Sequence, residues 1–201
     1  MFSSANSLPA LKAFRFNATA FYYDYKNYQA LTFAGLSQFI TNADATVSGL
    51  DMELTWLESE NWDVTLGASF LSTEVDEVAI RGGDVFTNTK MVQAPELSFN
   101  GLVRYYFTED FSFQVDFNHQ GEQYFDITNS AVSKEDAYTV FNIRAAYQIN
   151  DDLSVSAYIK NVTNEEYRVY TFDFTGPAGL NQQFYAPPSW YGVTVSYVFG
   201  G

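Results

Sequence analysis

Apolar and polar residues alternate with a period of two along most of this chain, and the 3.6-residue spacing of helices is almost absent. Because successive side chains of a strand point to opposite faces, this alternation predicts strands that are apolar on one face and polar on the other. Eight strands are predicted, over residues 13–33, 45–57, 62–75, 94–107, 111–125, 137–149, 152–167 and 190–199. We therefore expect an all-β fold in which each strand pairs antiparallel with its sequence neighbour, without a helix longer than two turns.

The connections between these strands alternate in length. Tight polar turns are predicted at 58–61, 108–110 and 150–151, and long loops at 34–44, 76–93, 126–136 and 168–189. We call the two ends of the sheet the turn end and the loop end. Short turns at one end and long loops at the other are typical of an up-and-down transmembrane β-barrel of the outer membrane.

One face of the predicted sheet carries no charge. Its proposed positions, called the apolar face here, are Phe14, Phe16, Ala18, Ala20, Tyr22, Leu50, Met52, Leu54, Trp56, Trp62, Val64, Leu66, Ala68, Phe70, Leu97, Phe99, Gly101, Val103, Tyr105, Phe111, Phe113, Val115, Phe117, Phe141, Ile143, Ala145, Tyr147, Leu153, Val155, Ala157, Ile159, Tyr191, Val193, Val195, Tyr197 and Phe199. The interleaved polar face includes Arg15, Asn17, Asp51, Glu53, Asp63, Asn100, Arg104, Gln114, Asp116, Asn142 and Arg144. A charge at bilayer mid-depth costs ~2–4 kcal/mol on the lipid side of a barrel, which would explain a face without charges.

Aromatic residues of the apolar face lie beside the short turns, for example Trp56 and Trp62, whereas smaller residues such as Leu66 lie in the middle of the strands. A girdle of rings at one level is expected where lipid headgroups meet hydrocarbon. The alternative is the aromatic core of a soluble β-sandwich, whose strands also alternate. A sandwich does not require its rings to lie at one turn level.

Composition excludes several functional classes. The chain has 24 acidic and 10 basic residues and a formal charge of −14, which argues against nucleic-acid binding. It has no cysteine and one histidine, so neither a disulfide framework nor a thiolate or multi-histidine metal centre is possible, and no cofactor is expected. Residues 1–10 lack the charged and apolar regions of a signal peptide, so we expect an exported precursor to be longer than this chain.

The most specific sequence pattern lies in the last third of the chain. It comprises residues 139–147, the 150–152 turn, 153–160, the Lys-Asn-Val-Thr-Asn-Glu-Glu-Tyr stretch at 160–167, and 187–199. These segments resemble the last three strands of TonB-dependent outer-membrane receptors. Residues 17–28 and 46–54 are similar to earlier strands of the same barrels, so the resemblance covers nearly the whole chain.

The resemblance implies a large barrel of about 22 strands, of which this chain would supply about the last eight as the C-terminal part, without the plug domain and the earlier strands. It implies a receptor in the outer membrane of a Gram-negative bacterium that imports a scarce ligand of the ferric-siderophore, cobalamin or carbohydrate class. The implied partners are membrane lipid, the receptor's own plug domain, TonB and the barrel-assembly machinery. This chain alone should not perform energised uptake, and we expect a partial barrel or open curved sheet with 13–33 and 190–199 as its edges.

The closing segment also fits the insertion signal of outer-membrane proteins, through Tyr191, Val193, Val195, Tyr197 and Phe199. The family usually ends at the aromatic residue, whereas Gly200 and Gly201 follow here. The alternative function is a self-contained structural or porin-like small barrel, which passes solutes passively and needs no plug.

The last long loop mixes aromatic and amide residues, which could stack on and hydrogen-bond a ligand at the barrel mouth. Its candidate contacts are Tyr170, Phe172, Phe174, Gln182, Gln183 and Tyr185. Packing between loops is an equally open interpretation of the same residues. On the polar face, arginines and carboxylates could guide an anionic ligand or hold a plug, but mutual pairing across the wall is favoured because such charges need partners.

No catalytic residue is predicted. His119 could suggest a membrane-embedded hydrolase, but its phase places it on the apolar face near the loop end, and no nucleophile motif accompanies it. Acidic loop residues could supply oxygen ligands to Ca²⁺, although their spacing fits no known loop and a solvated acidic loop is the favoured interpretation. These residues are Glu74, Asp76, Glu77 and Asp84.

Overall fold

The computed structural model describes residues 13–34, 36–59, 61–80 and 83–199. The strands are β1 (Ala13–Ala34), β2 (Ser37–Ser59), β3 (Trp62–Ala79), β4 (Val85–Thr89), β5 (Leu97–Tyr106), β6 (Phe111–Gln120), β7 (Gln123–Tyr124), β8 (Lys134–Glu135), β9 (Tyr138–Gln148), β10 (Leu153–Lys160), β11 (Arg168–Phe174), β12 (Leu180–Tyr185) and β13 (Trp190–Tyr197). A four-residue helix, α1 (Thr175–Ala178), joins β11 to β12. The predictions made for residues 1–10, Gly200 and Gly201 lie outside the described residues.

Eight of these strands form an antiparallel meander in the order β1-β2-β3-β5-β6-β9-β10-β13, and β4 adds to the far end of β3. β1 and β13 are the two edges, and the order joins them nowhere within the described part of the chain. The predicted up-and-down topology, the two edges and the open sheet are therefore confirmed.

The strand register tests the predicted faces, because directly paired residues of an antiparallel sheet lie on the same face. One row of paired residues crosses five strand boundaries through Phe16, Leu54, Leu66, Gly101, Phe117 and Phe141. The next row towards the turn end joins Phe14, Trp56, Val64, Val103, Val115, Ile143, Ile159 and Tyr191. The apolar face is thus one continuous surface, as predicted.

Aromatic rings of the apolar face contact one another along the turn end. The ring centroids of Trp62 and Tyr105 lie 4.5 Å apart, and those of Tyr105 and Phe107 lie 4.7 Å apart. Phe107 stacks on Phe111 at 5.2 Å, and Phe111 meets Tyr147 edge-on at 6.5 Å. The predicted clustering of rings beside the short turns is confirmed.

The predicted loop at 34–44 is wrong, because β1 and β2 stay paired as far as Ala34 and Ser37. Polar residues interrupt the apolar alternation of β2 there, at Ser37, Gln38, Thr41, Asn42 and Asp44. On β1, a β-bulge in which Lys26 and Asn27 together oppose Asp44 also shifts the phase. A bulge exchanges the two faces of the strand beyond it, so a period-two pattern read through it loses its phase. The first hairpin therefore extends well beyond the rest of the sheet.

Other predicted boundaries move for local reasons. The strand predicted at 152–167 ends at Lys160, because Asn161 and Asn164 adopt φ values of 51° and 52° and form a turn. The long loops at the loop end also contain short strands, since β3 pairs with β4, β7 with β8 and β11 with β12.

Buried apolar side chains lie at the loop end rather than against the main sheet. The cluster consists of Ala30, Ala43, Ala45, Val75, Val78 and Ile127, each at most 7% exposed. Phe86 of β4 and the loop residues Ile80 and Met91 pack against it. The described residues leave the apolar face of the sheet uncovered, as the 83% exposure of Tyr191 illustrates, so they form no sandwich core. Within the described residues, no helix is long and apolar enough to cross a membrane.

Candidate ligand site on the polar face and at the loop end

The charges of the polar face pair within the wall. Arg15 Nη2 donates to Glu53 Oε1 at 2.9 Å across the β1–β2 boundary. Asp51 Oδ1 accepts the hydroxyl of Ser69 on β3 at 2.6 Å. These contacts join directly neighbouring strands, so they fix side-chain orientation in the wall.

A second polar network begins on β3. Tyr106 donates its hydroxyl to Asp63 Oδ2 at 2.9 Å, and Arg104 Nη1 lies 3.6 Å from the same oxygen. Arg104 Nη2 also donates to Gln114 Oε1 at 2.7 Å. One guanidinium therefore joins three consecutive strands of the sheet.

The network continues from Gln114 across β9 to the residue that follows β10. Gln114 Nε2 donates to Asp116 Oδ1 at 3.2 Å, and Asn142 Nδ2 donates to Asp116 Oδ2 at 2.6 Å. Asn142 Oδ1 then accepts the backbone N–H of Asn161 at 2.9 Å. The polar face is thus pre-ordered from the turn end of β3 to the loop end of β10.

Pairing across the wall is confirmed for Arg15 and Arg104, which each contact a carboxylate. Arg144 differs, because it donates to the Ser156 hydroxyl at 3.0 Å and contacts no carboxylate among the described residues. Asp51 and Asp116 are satisfied by hydroxyl and amide donors rather than by cations.

A groove of about 400 Å³ lies on the polar face between β1, β2, β3 and β5. Its polar lining includes Asn17, Thr19, Asp51, Glu53 and Asn100. Amides, hydroxyls and carboxylates can hydrogen-bond a polar solute or a polar protein surface. The groove is therefore a candidate binding surface for a polar solute or for a polar protein surface.

The loops at the loop end are tied to one another by buried polar contacts. Arg168 at the start of β11 forms an ion pair with Glu135 of β8, and both side chains are largely buried. The backbone N–H of Arg168 donates to the same carboxylate at 3.1 Å, and its guanidinium donates to the carbonyls of Val132 and Lys134. This cluster fastens the β11–β12 hairpin to the β7–β8 hairpin.

Asn129 makes a second tie between loops. Its Oδ1 accepts the N–H of Lys90 at 2.6 Å, and its Nδ2 donates to the Lys90 carbonyl at 3.0 Å. Nearby, Lys134 donates hydrogen bonds to the carboxylates of Glu122 and Asp136, which hold the pKa of Lys134 well above its usual range. The loop end is therefore an ordered assembly rather than a set of separate loops.

The six candidate contacts of the last loop lie on the β11–β12 hairpin, but on different faces. Tyr170, Phe172 and Phe174 alternate with Thr171 and Asp173 along β11. Phe172 pairs with Gln182, whereas Gln183 pairs with Thr171 and Tyr185 with Arg168. The Tyr185 hydroxyl donates to Gln183 Oε1 at 2.7 Å. The sequence grouped these six residues, and the structure divides them between two surfaces.

The aromatic members of that hairpin pack against other loops. The Phe33 ring near the tip of β1 meets Phe172 edge-on at 5.7 Å and Phe174 at 5.0 Å. Tyr170 lies 5.9 Å from the buried Phe125. Packing between loops therefore occupies these rings, while Gln182 and Tyr185 remain exposed.

A cleft of about 310 Å³ opens between the loops beside Phe33. Its lining includes Phe86 and the carboxylates Asp84, Asp126 and Asp173. Burial raises the pKa of Asp173, but hydrogen bonds from Thr175 and Ser130 outweigh it, so the pKa lies below its usual value. These carboxylates contact no Lys or Arg among the described residues, so the cleft is acidic.

Sequence reasoning missed three aromatic residues on the polar face of β1. Phe21, Tyr23 and Tyr25 follow one another there, with successive ring centroids 5.6 and 5.9 Å apart. The signal was available, because aromatic residues at 21, 23 and 25 fall in the phase of Arg15 and Asn17 rather than in that of the apolar face. We call these three residues the aromatic ladder.

The alternation places Asn161 within the predicted strand 152–167, whereas its side chain organises a turn. Its Oδ1 accepts the Glu165 N–H and its Nδ2 donates to the Glu165 carbonyl, both at 2.8 Å. Asn164 Oδ1 accepts the N–H of Ser189 at 2.9 Å. The two asparagines of the Lys-Asn-Val-Thr-Asn-Glu-Glu-Tyr stretch thus position the connection to β13.

His119 lies on the apolar face, as predicted, since it pairs with Phe99. The two rings stack at 4.4 Å, and His119 Nδ1 lies 2.9 Å from Thr139 Oγ1. In the described part of the chain, no group of three or more acidic, histidine or cysteine residues is arranged to hold a metal ion. The acidic residues Glu74, Asp76 and Glu77 lie on β3.

The proposed insertion signal lies on the edge strand. Tyr191, Val193, Val195 and Tyr197 pair in turn with Ile159, Ala157, Val155 and Leu153 of β10. These four residues therefore share the apolar face. Phe199 follows the end of β13, and its ring meets that of Tyr197 at 4.7 Å.

Comparison with known families gives a match over most of the chain. The model of the TonB-dependent receptor-like β-barrel matches residues 9–162. That range contains the first seven strands of the meander, from β1 to β10, but not the β11–β12 hairpin.

Solved structures share the fold. The ferric yersiniabactin uptake receptor FyuA from Yersinia pestis has a TM-score of 0.77 and 17% identity, over 94% of this chain and 28% of that one. The siderophore receptor PiuA from Acinetobacter baumannii has a TM-score of 0.72 and 14% identity, over 90% of this chain and 25% of that one. The copper transporter OprC has a TM-score of 0.69 and 16% identity, over 92% and 28%. This chain thus spans between a quarter and a third of those proteins, and the likeness shows the fold.

Proposed function

This chain belongs to the TonB-dependent receptor β-barrel family, and we propose that it forms the C-terminal part of the wall of an outer-membrane receptor that imports a scarce ligand. The observation that carries the proposal is an open antiparallel meander, matched to this family, with one continuous face free of charge. Such a face suits the hydrocarbon of a bilayer, and the opposite face suits a polar lumen.

Strand lengths support a membrane-spanning wall. β5 and β6 have 10 residues each, and about 9–11 residues of a tilted strand cross a bilayer. The girdle from Trp62 to Tyr147 would then lie at one headgroup level. The hairpin arms β1 and β2, with 22 and 23 residues, would extend beyond the opposite headgroup level.

The ligand would belong to the ferric-siderophore, cobalamin or carbohydrate class. Several solved proteins of this fold are siderophore receptors, and one is a copper transporter. We place ligand contact at the loop end, with the exposed Gln182 and Tyr185 of the β11–β12 hairpin as contacts together with Gln183. Tyr170, Phe172 and Phe174 would position that hairpin through their packing.

The partners in the whole receptor would be a plug domain against the ordered polar face, TonB beneath it, membrane lipid, and the assembly machinery acting on β13. A self-contained porin-like barrel is the weaker hypothesis, because such a barrel would need its first and last strands to pair. β1 and β13 lie at opposite ends of the strand order.

The proposal is tested by uptake through the full-length protein. A strain lacking its own receptors would be grown with one ferric siderophore, cobalamin or carbohydrate at a time as the scarce nutrient, with and without TonB. We expect the full-length protein to fractionate with the outer membrane and to restore growth on one nutrient only when TonB is present. Growth that does not depend on TonB, or fractionation away from the outer membrane, would overturn the proposal.

Within the same assay, Gln182→Ala with Tyr185→Ala should weaken growth on that nutrient. Asp151→Ala with Asp152→Ala at the turn end is the matched control, since these exposed residues lie at the opposite end of the sheet. Equal growth of both double variants would remove the hairpin from the ligand site.

A further inference from the structure

A groove of about 300 Å³ interrupts the apolar face across β1, β2, β3, β5 and β6, and we call it the apolar groove. Its lining includes Met52, Leu66, Ala68, Phe99 and Phe117. Ala68 has the shortest side chain of these five, so the surface dips between larger neighbours. An enclosed apolar cavity of ~150 Å³ holds one benzene ring, so the groove has room for a stretch of hydrocarbon chain.

Gly101 fixes one side of the apolar groove. It lies between Leu66 and Phe117 in the paired row of the sheet. A Cβ added to Gly101 would lie 2.7 Å from Leu66 and 2.5 Å from the Phe117 ring. Both side chains therefore extend over β5 at this point, which only a residue without a side chain allows.

His119 borders the apolar groove on the side of the loop end. The groove crosses two paired rows, and His119 belongs to the row nearer the loop end, where its ring stacks on the groove residue Phe99 at 4.4 Å. The other members of that row are Ala18, Met52, Ala68, Phe99 and Thr139. An ionisable side chain on a surface that faces lipid is costly without a polar partner, so its presence there suggests a function.

The His119 ring has one nitrogen to spare. Nδ1 lies 2.9 Å from Thr139 Oγ1, whereas Nε2 contacts no polar group of the described residues. When the Thr139 hydroxyl donates to Nδ1, the ring hydrogen resides on Nε2, which is then a donor. His119 thus offers a hydrogen-bond donor directly beside an apolar groove.

The depth of His119 matches the headgroup level opposite the girdle. On β6, Phe111 belongs to the girdle of rings beside the short turns, and His119 follows it by eight residues. At ~3.4 Å per residue this is ~27 Å along the strand, or ~19–22 Å of depth at a strand tilt of about 35–45°. The apolar band of such barrels is ~25 Å tall, and their long loops face the cell exterior. His119 therefore reaches the outer edge of the hydrocarbon.

We propose that the receptor holds one phosphate-bearing lipid of the outer leaflet, with part of an acyl chain in the apolar groove and a phosphate oxygen accepting a hydrogen bond from His119 Nε2. The groove is continuous with the face that suits hydrocarbon, and its polar end lies at headgroup depth, so the two parts follow the order of tail and headgroup in a lipid. Hydrogen bonds to an ionised acceptor such as phosphate are stronger than those to a neutral one. The inference rests on the proposed function for the orientation of the wall and goes beyond it by naming a bound lipid.

The test compares two lipids that differ only in the phosphate. The full-length receptor, freed of lipid by exchange into a nonionic detergent, is titrated with dioleoyl phosphatidic acid or with dioleoylglycerol, and native mass spectrometry counts the bound molecules. We expect the first phosphatidic acid to bind at least about tenfold more tightly, the scale of one hydrogen bond to a charged group. Equal binding of the two lipids would overturn the proposal.

Variants at His119 separate its donor from its ring. His119→Phe keeps a ring on Phe99 but removes the nitrogen, so it should abolish the preference for phosphatidic acid. His119→Arg restores a donor to phosphate and should retain the preference. A preference that persists in His119→Phe would place the phosphate elsewhere and contradict the assignment.

A matched pair of variants tests the apolar groove. Ala68→Leu fills the groove, so it should weaken the binding of both lipids. Ala157→Leu on β10 adds the same side chain to the apolar face outside the groove and should leave binding unchanged. Gel mobility of the folded form confirms that both variants are inserted. Equal lipid binding by the two variants would remove the acyl chain from the groove.

The receptor as extracted from the outer membrane distinguishes a lipid from a protein as the occupant. Native mass spectrometry without added lipid should show one retained molecule with the mass of a phosphate-bearing lipid, and Ala68→Leu should lose it. A receptor dimer that dissociates in Ala68→Leu would show that a second copy covers the groove, and would overturn the inference. TonB-dependent growth tests the proposed function independently, because the variants lie outside the proposed ligand contacts.

Discussion

Adjacent residues of β3 offer a matched test of the two faces. Leu66 lies on the apolar face between Leu54 and Gly101, whereas Thr65 lines the polar groove. An arginine at position 66 would meet only apolar neighbours in its row, so its charge would be unpaired in hydrocarbon. We expect Leu66→Arg to cost ~2–4 kcal/mol of folding free energy in a bilayer. At ~1.36 kcal/mol per tenfold change, this is a shift of roughly 30- to 900-fold in the folding equilibrium.

Thr65→Arg should have a much smaller effect. The groove beside Thr65 has a volume of about 400 Å³ and contains the carboxylates of Asp51 and Glu53, so an added guanidinium has space and partners. A partly exposed ion pair contributes about 0–1 kcal/mol. The two variants add the same side chain one residue apart, so their difference reports the face rather than the chemistry of arginine.

The assay is reversible folding of the full-length receptor into lipid vesicles, followed over a urea series by the gel mobility of the folded and unfolded forms. The free energy of folding is compared between each variant and the unmodified receptor. If Leu66→Arg and Thr65→Arg lose equal free energy, the assignment of the two faces to lipid and lumen is refuted. Val103→Arg and Asn100→Arg repeat the comparison on β5.

Three further predictions concern the loop end. Glu135→Gln should cost ~3–5 kcal/mol locally, because it leaves the buried Arg168 without its ion pair, and limited proteolysis of the β11–β12 hairpin should accelerate while cleavage at the turn end stays unchanged. The pKa of Asp44 is lowered by the hydrogen bond from the Asn27 N–H and then by Lys26, so the ionised carboxylate stabilises the folded hairpin above the ordinary aspartate pKa, and this stabilisation is lost as pH falls through the lowered value. The amide protection factor of Asn27 should therefore fall below about pH 4. Asp44→Asn should abolish this pH dependence. Gly49→Val should destabilise the first hairpin, since its Cβ would collide with the Phe21 ring and a backbone carbonyl, and a normal urea midpoint would contradict this.

The wall of the sheet is predictable because its rules are local. A strand side chain points to one face or the other according to its position alone, so the alternation around Leu54, Leu66 and Val103 is sufficient to assign the faces. Tight turns then pair each strand with the next. These two rules together give the strand order, the edges and the row of apolar residues, without any knowledge of contacts between distant residues.

One residue changes the phase of β1, which the alternation alone does not reveal. Asn27 adopts a φ of 60° in the bulge, and Asp44 accepts its N–H at 3.2 Å. Beyond this point the alternation of β1 continues with the opposite phase. Ser37 to Asp44 of β2 resembles a loop for a different reason, because five of its eight residues are polar. Asn161 similarly ends β10 through a side chain that bonds Glu165, which a pattern of strand propensities does not reveal.

The loop end depends on contacts between residues far apart in the sequence. Phe33 packs on Phe174, and Glu135 pairs with Arg168, although neither residue of either pair signals its partner locally. The aromatic residues that suggest a ligand loop therefore also pack the β11–β12 hairpin against other loops. The sequence alone could not tell which residues of the hairpin contact a ligand and which ones pack. Because these contacts lie outside the paired rows of the wall, substitutions at the loop end should alter ligand contact while the register near Leu66 remains intact. The wall and the proposed ligand site on the β11–β12 hairpin therefore belong to two separate sheets, which meet where Phe33 near the tip of β1 packs on Phe172 and Phe174.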